Sequence, residues 1–467
     1  MHSIPIMKTV DQQYSVIHGA QNGNALTTRP VSPANSAVPK TLAGGFKTFR
    51  AMLVLLLLPF LVQAQFNYTT NADGLSLTIT GFTGTDMDVT VPSMNNGLPV
   101  SSIGVAAFAN SSLTSLTISE GIATIERMAL KVCYHMTTVT IPDTVTNIGE
   151  EVFMGCSRLA NVTIPNSVTS LGPSAFYWCS GLTNLILSTN LTSLPDEAFA
   201  ACHSLRSVRI PDSVTSIGYM EFLSCENLTD VTFSTSLTDI GSEAFQYCNG
   251  LKKIVIPASV INVGDQAFYQ CGALTNLTML GGVSIGTAAF QGCTLLANVM
   301  LPNSLTSIGG GAFAFCPGLV NVTIPCNVTN IGGNAFYYSS SYLKGFYFKG
   351  NAPSLGPAVF YVNQYTHPTA YYLPGTTGWG TNFGGLSTAV WPQVQTSDAS
   401  TFGVGMNGFG FNFLAGTNAV IVTESCTNLA QPVWVPLGTN TLTNGSAYFS
   451  DSGWSNQPAR FYRLRSP

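Results

Sequence analysis

Apolar and polar positions through the middle of this chain follow a pattern that returns every 22 to 24 residues. Stretches such as VTIPDTVTNIGEEVFMGCSRL, VTIPNSVTSLGPSAFYWCSGL, VRIPDSVTSIGYMEFLSCENL and IVIPASVINVGDQAFYQCGAL show it directly. One ladder runs through Phe108, Leu130, Phe153, Phe176, Phe199, Phe222, Phe245, Phe268, Phe290, Phe313, Phe336 and Phe360. Three positions beyond each rung a second ladder reads Cys133, Cys156, Cys179, Cys202, Cys225, Cys248, Cys271, Cys293 and Cys316, with Ser111 and Ser339 at its ends. Such regularity marks a tandem array, in which one unit cannot bury its apolar side and stacking supplies the core.

Within a unit, Leu159-Ala160-Asn161-Val162-Thr163-Ile164 alternates apolar and polar residues and predicts a half-buried strand. Proline follows in about half the units, as at Pro142, Pro165 and Pro211, where a residue without an N–H ends the pairing. The V-T-S-I-G segment predicts a second short extended piece whose glycine permits a sharp bend. The A-F-x-x-C segment is placed on one helical turn, with Phe and Cys at i and i+3 facing inward. Parallel stacking of twelve such units at about 4.8 Å each gives a rod or arc on the order of 58 Å long. The ladder cysteines read as buried structural thiols, because equivalent positions in a stack have parallel Cβ vectors that suit disulfide geometry poorly. Bridges between neighbouring rungs are the competing reading. Cys326 and Cys426 lie outside the ladder with no evident partner.

The flanks differ. Ala51–Val62 is a twelve-residue apolar run, too short for a bilayer span but fitting the apolar region of a secretory signal. Lys47 and Arg50 supply its basic flank, and Val62-Gln63-Ala64 the small residues before cleavage. Residues 1–64 are thus a leader and signal peptide cut after Ala64; an uncleaved anchor is the alternative. Residues 65–105 are expected to form an N-terminal cap and first rung, 106–360 the solenoid, 361–392 a C-terminal cap, and 393–467 a small β-sandwich-like module.

The unit I-P-x-S-V-T-S-I-G-x-x-A-F-x-x-C-x-x-L resembles the 23-residue leucine-rich repeat of bacterial surface proteins, the BspA-like or Treponema pallidum type. The resemblance covers about residues 66–360, beginning with FNYTTNADGLSLTITGFTGTDMDVTVP and GLPVSSIG, similar to the family's capping strands and first rung. It implies an α/β, mainly β, leucine-rich-repeat solenoid of about twelve 23-residue rungs with a parallel sheet. It also implies a bacterial protein, secreted or at the cell surface, that recognises other proteins or cells; the expected partner is an extracellular protein or glycan. Met128-Ala129-Leu130 departs from the x-A-F pattern, and Ser119, Ser188 and Ser234 stand where the pattern has proline.

Charge narrows the function further. Only 8% of the 467 residues are charged, and the net charge is −4. Removing residues 1–64 takes five basic residues and one acidic one and leaves about −8. No basic stripe exists to neutralise phosphates, so nucleic acid is not an expected partner. No membrane span is expected in the mature chain, and neither cofactor nor metal site. Gly403-Val404-Gly405-Met406-Asn407-Gly408 fits G-x-G-x-x-G, yet a strand pattern follows where a dinucleotide site needs a helix, so it reads as a turn. His135, His203 and His367 fall at unrelated offsets, and the Asp86/Asp88 pair lacks the further oxygens a calcium site requires.

What remains is a charged cluster on outward strand positions of three consecutive rungs: Arg206, Arg209, Asp230, Lys252 and Lys253. Asp230 lies between Arg209 and Lys253, which suggests a mutually neutralised network; a contact patch for an acidic partner competes with it. The leading expectation is a non-enzymatic recognition or adhesion protein. A structural spacer or self-assembling surface protein is the alternative. A glycan-active enzyme using Glu197, Glu221 and Glu243 as paired carboxylates is the remote one.

Overall fold

The computed structural model describes residues 3–6, 65–282, 284–339, 343–361, 367–396, 402–405, 408–456 and 459–465. The apolar run and cleavage site proposed for the leader lie outside the described residues. Each repeat contributes two short strands that pair in parallel with the same strands of its neighbours. The first ladder carries the L-x-x-V-x-I segments, with Asn161 registered on Asn184, Ser207 on Asp230 and Lys253 on Asn276. The second carries the V-T-S-I segments from Leu98–Ile103 to Ser354–Leu355, one two-residue strand per later rung. Strand pairing in the first ladder continues past the last repeat through Gly345–Phe348, Thr369–Tyr372 and Leu386–Val390.

The side chains between the two ladders are the repeated apolar positions. In one rung Leu159, Val162, Ile164, Val168, Leu171, Phe176 and Cys179 are all buried. From Phe153 to Phe336 the ladder rings stack at centroid distances of 4.9 to 5.8 Å with their planes within 13°. Each buried ring contributes roughly 1.5–3 kcal/mol through apolar burial, so stability accumulates rung by rung. The open ends are closed by other aromatics. An antiparallel hairpin, Phe66–Thr70 with Leu77–Phe82, brings Phe66 and Phe82 onto Phe108. At the far end Phe383 packs against Phe360 and Phe348, and Trp379 stacks on Tyr372.

The A-F-x-x-C segment is not helical, contrary to the sequence expectation; its residues form hydrogen-bonded turns. The reason lies in the hydrogen bonding. The N–H groups of Glu151, Phe153 and Gly155 donate to the carbonyls of Pro173, Ala175 and Tyr177 in the next rung. Two turns, Met154 N–H to Glu151 O and Cys156 N–H to Phe153 O, close the segment on itself. A helix would consume those donors internally. Alternation is achieved by left-handed residues two before and two after each Phe, such as Glu151 (φ 55°), Val132 (φ 64°) and Trp178 (φ 62°).

The I-G glycine likewise serves a different purpose from a bend. Its φ is not positive; instead a Cβ at Gly172 would stand 2.3 Å from the Glu150 nitrogen, and one at Gly332 2.4 Å from the Gly310 nitrogen. Close approach of successive backbones excludes any side chain there. Where serine replaces proline the chain still turns, because the buried Ser188 hydroxyl donates to Val168 O and accepts from Asn190 N–H.

Beyond the solenoid, two antiparallel sheets enclose a second core of Phe409, Phe411, Phe413, Ile421, Leu442, Phe449, Tyr462 and Leu464. Ala419–Cys426 is central to one sheet, between Val435–Leu442 and Phe461–Arg465, and Ser3–Ile6 lies antiparallel along the latter. Gly408–Leu414 is central to the other, between Gln393–Gln395 with Gly403–Gly405 on one side and Ser446–Asp451 on the other.

Candidate functional site

Pairing in the first ladder sends alternate side chains to solvent, and the register fixes their rows. Register places Asn161 beside Asn184, Ser207 beside Asp230, and Lys253, Asn276 and Asn298 in line, with Asn321 at the same position of its rung; the next outward position holds Ile186, Arg209, Val255 and Met300. Arg206, Arg209, Asp230, Lys252 and Lys253 are all exposed on or beside this face. They share one surface but do not form the neutralised network that sequence order suggests. Asp230 registers with Ser207 and is only the diagonal neighbour of Arg209, a separation of roughly 7–8 Å between Cα atoms. None of the four cations comes within 4 Å of Asp230; Arg209 turns instead to Asp212, three residues on, at 3.9 Å with both side chains largely exposed. A pair so open contributes at most about 1 kcal/mol and is weakened by salt.

The scaffold beneath is held by hydroxyls that sequence composition reveals but does not place. Thr229 Oγ1 donates to Arg206 O at 3.1 Å and Thr275 Oγ1 to Lys252 O at 2.9 Å, each tying one rung to the last. Asparagines add Asn184 Nδ2 to Asn161 Oδ1 at 2.7 Å and Asn298 Nδ2 to Asn276 Oδ1 at 3.1 Å. Immediately beyond Lys253, a depression of about 470 Å³ is lined by Asn276, Asn298, Asn321, Ala297 and the exposed Met300.

All nine ladder cysteines are free and buried. Each thiol donates to the carbonyl of the Phe-ladder residue in the preceding rung, for example Cys179 Sγ to Phe153 O at 3.2 Å and Cys271 Sγ to Phe245 O at 3.2 Å. Ser339 makes the equivalent bond to Phe313 O with a hydroxyl. Burial pushes the thiols of Cys179, Cys271 and Cys316 up to about 12, which leaves them unreactive at neutral pH.

The three glutamates do not converge. Glu197 and Glu243 occupy the left-handed position two before Phe and point outward, with Glu197 accepting from Ser174 Oγ and Glu243 from Tyr219 OH. Glu221 lies one position later, in a column held mostly by alanine (Ala129, Ala175, Ala198, Ala244 and Ala267), with Val152 and Val359, and is completely buried. Its Oε2 accepts the Ala198 N–H at 2.9 Å while Oε1 has no partner. Burial drives this carboxyl well above the usual range, against the Ala198 bond and with a small push from Asp196. A carboxyl sealed in the core, with its neighbours turned away, makes no acid/base pair with them.

Other sequence motifs resolve as structure. His203 Nδ1 lies 2.9 Å from Ser224 O, and Asp88 Oδ1 accepts the hydroxyls of Thr114 and Ser115. Among the described residues no group of three or more metal-binding side chains occurs. Gly403–Gly405 pairs back on Gly408–Gly410 as a hairpin, with Met406 and Asn407 outside the described residues. The terminal sheets hold two polar clusters the sequence did not signal. Asp451 accepts from Arg460 and Tyr462, and Glu424 from Arg463 and Arg465. Arg463 also covers the Trp434 ring at 4.4 Å. No helix among the described residues is long and apolar enough to cross a membrane, which leaves strand-built spans unaddressed.

Comparison with known proteins finds the BspA-type leucine-rich repeat region in six copies, over residues 101–229 and 215–344. Similar solved structures include a leucine-rich repeat protein from Bacteroides ovatus, 25% identical over 66% of this chain and 93% of that one, with a TM-score of 0.47. A leucine-rich cell surface protein from Faecalibacterium prausnitzii is 26% identical over 61% of this chain and 87% of that one (TM-score 0.36). The T. pallidum leucine-rich repeat protein is 25% identical over 50% and 88% (TM-score 0.31). No curated protein matches the chain. The repeated columns of Phe, Cys, Gly and Pro, the stacked parallel ladders and the matched region together place this chain in the BspA-type leucine-rich repeat family.

Proposed function

We propose that the chain is an exported, non-enzymatic recognition protein that uses the outward face of its first ladder to bind an extracellular partner carrying acidic groups. The observation that carries this reading is the cluster of Arg206, Arg209, Lys252 and Lys253 on one exposed face, opposed by Asp230 and Asp212 alone and not neutralised by Asp230. Cations fixed on a stacked backbone are already arranged, so binding orders little beyond the side chains themselves. Positive potential over three rungs steers an acidic segment to the face, and the Asn276–Asn321 depression with Met300 supplies adjoining polar and apolar contact. Export rests on the apolar run Ala51–Val62 and the family's cell-surface relative.

The test is binding of labelled full chain to intact bacterial and animal cells, read by flow cytometry at low and high salt. The variant Arg206→Ala/Arg209→Ala/Lys252→Ala/Lys253→Ala should lose most of the signal, and salt should diminish the wild-type signal. Equal binding by both proteins at every salt concentration contradicts the proposal.

A further inference from the structure

The edge of the solenoid formed by the A-F-x-x-C turns changes character over its last four rungs. In earlier rungs the two positions before each buried Ala-Phe or Val-Phe pair carry side chains such as Glu150-Glu151, Asp196-Glu197 and Asp265-Gln266. From residue 287 onward they hold Thr287-Ala288, Gly310-Gly311, Gly333-Asn334 and Pro357-Ala358. Removal of side chain over consecutive rungs leaves a groove of about 690 Å³ floored by Gly310, Gly311 and Gly333. That volume lies in the range of small-ligand sites, about 300–1,000 Å³.

One wall is aromatic. Phe315, 44% exposed, and Tyr337 line it with their rings edge-on at 6.0 Å, and behind them Tyr338 stacks on Phe315 at 5.5 Å and on Tyr361 at 4.3 Å. The residue equivalent to Phe315 in the preceding rung is Gly292, so that position offers no side chain to cover the ring's other face. Gln291 Oε1 lies 3.5 Å from the point where a Cβ on Gly311 would stand, so its amide overhangs the floor. Among the described residues neither the Gln291 nor the Asn334 side chain has a hydrogen-bond partner, and none of the groove's lining residues is charged.

We propose that this groove binds a neutral oligosaccharide. The C–H face of a pyranose ring is complementary to an exposed aromatic face, and free carboxamides offer a donor and an acceptor side by side for adjacent hydroxyls. Absence of any cation removes the means of recognising a uronate, a sulfate or an acidic peptide. The groove lies on the turn edge, away from the charged sheet face, so the two sites stand or fall separately.

The experiment titrates the full chain with neutral hexasaccharides of β-glucan, α-glucan, xylan and mannan type, and with hexagalacturonate as the charged probe, by calorimetry. Gly311→Gln fills the groove with the side chain that Gln266 already carries at the same rung position and φ 56°. Phe315→Ala removes the platform and leaves the residue found as Ala201 at the equivalent position, also φ 56°. At least one neutral hexasaccharide should bind the parent, with affinity reduced at least about tenfold by each substitution. No binding by any neutral member at about 5 mM overturns the proposal, as does preference for hexagalacturonate or affinity unchanged in both variants.

Discussion

Replacing Glu221 with alanine should stabilise this protein, by an amount that grows with pH. The glutamate sits in the alanine column, fully buried, with one oxygen bonded to Ala198 N–H and the other unpartnered. An unsatisfied buried acceptor costs about 1–3 kcal/mol, and the Ala198 bond returns about 1. The Phe199–Phe222 spacing of 5.8 Å is the widest in the stack from Phe153 to Phe336, so the neighbours have room to close over alanine. At pH near 4.5, where the carboxyl is protonated folded and half-protonated unfolded, the two proteins should differ by no more than about 1–2 kcal/mol. Above that the folded state retains a proton that the unfolded chain gives up. The wild type therefore loses about 1.4 kcal/mol per pH unit until pH reaches the raised folded value. Above pH 5 the advantage of Glu221→Ala should therefore grow with pH, at up to about 1.4 kcal/mol per unit. Glu221→Gln, which keeps an acceptor for Ala198 but cannot ionise, should remove the pH dependence while changing little at pH 5. Urea denaturation followed by tryptophan fluorescence at pH 5, 6 and 7 measures this, Trp178 lying two rungs away. A difference between wild type and Glu221→Ala that is constant with pH, or an alanine variant weaker at pH 7, refutes the burial of an ionisable carboxyl at this position.

Other consequences follow from the same geometry. In the native full chain a thiol reagent should label Cys326, the exposed cysteine, and leave the nine ladder thiols untouched until denaturant is added; prompt labelling of more than one ladder thiol contradicts their burial. Cys225→Ser should fold because a hydroxyl can donate to Phe199 O as the thiol does, whereas Cys225→Val, which leaves that acceptor one partner short, should cost about 1–3 kcal/mol in thermal or chemical denaturation. Gly172→Ala should lower stability by several kcal/mol or prevent folding, since its Cβ meets the Glu150 nitrogen at 2.3 Å. By contrast Val132→Gly should be neutral or stabilising by up to about 1 kcal/mol, because a β-branched residue is held at φ 64°. Mass spectrometry of protein secreted from an expressing bacterium should find Gln65 as the first residue; an intact residue 1–64 segment contradicts the proposed cleavage.

The fold was legible because every rung poses the same packing problem and answers it with the same residues. Phe176, Cys179, Val168 and Leu182 announce themselves by recurrence, and recurrence at 23 residues specifies both the strands and their register. What was not legible depends on contacts between rungs. The i, i+3 spacing of Phe153 and Cys156 fits a helical turn as well as the paired turns that form; the N–H groups donated to the next rung decide between them. Gly172 reads as a flexible bend until the neighbouring backbone is seen at its Cβ. Glu221 had a readable signal that a shared proximity to Phe concealed: in M-E-F the acid stands one column later than in the E-A-F of Glu197 and Glu243. At the candidate site the five charged residues are all exposed, but the strand register placed Asp230 beside Ser207, and Arg209 found Asp212 instead. The pairing of Glu424 with Arg463 and Arg465 spans some 40 residues and depends on antiparallel register that local pattern does not carry.

The central claim is that the outward face of the first ladder is the recognition surface. Hydrogen exchange of the full chain, alone and bound to a partner recovered through the cell-binding experiment, tests it most directly. The account predicts added protection confined to Ser207–Arg209, Asp230–Thr232, Lys253–Ile256 and the neighbouring strands through Asn298–Met300. Protection confined to the second ladder or the terminal sheets, with these strands unchanged, would contradict it.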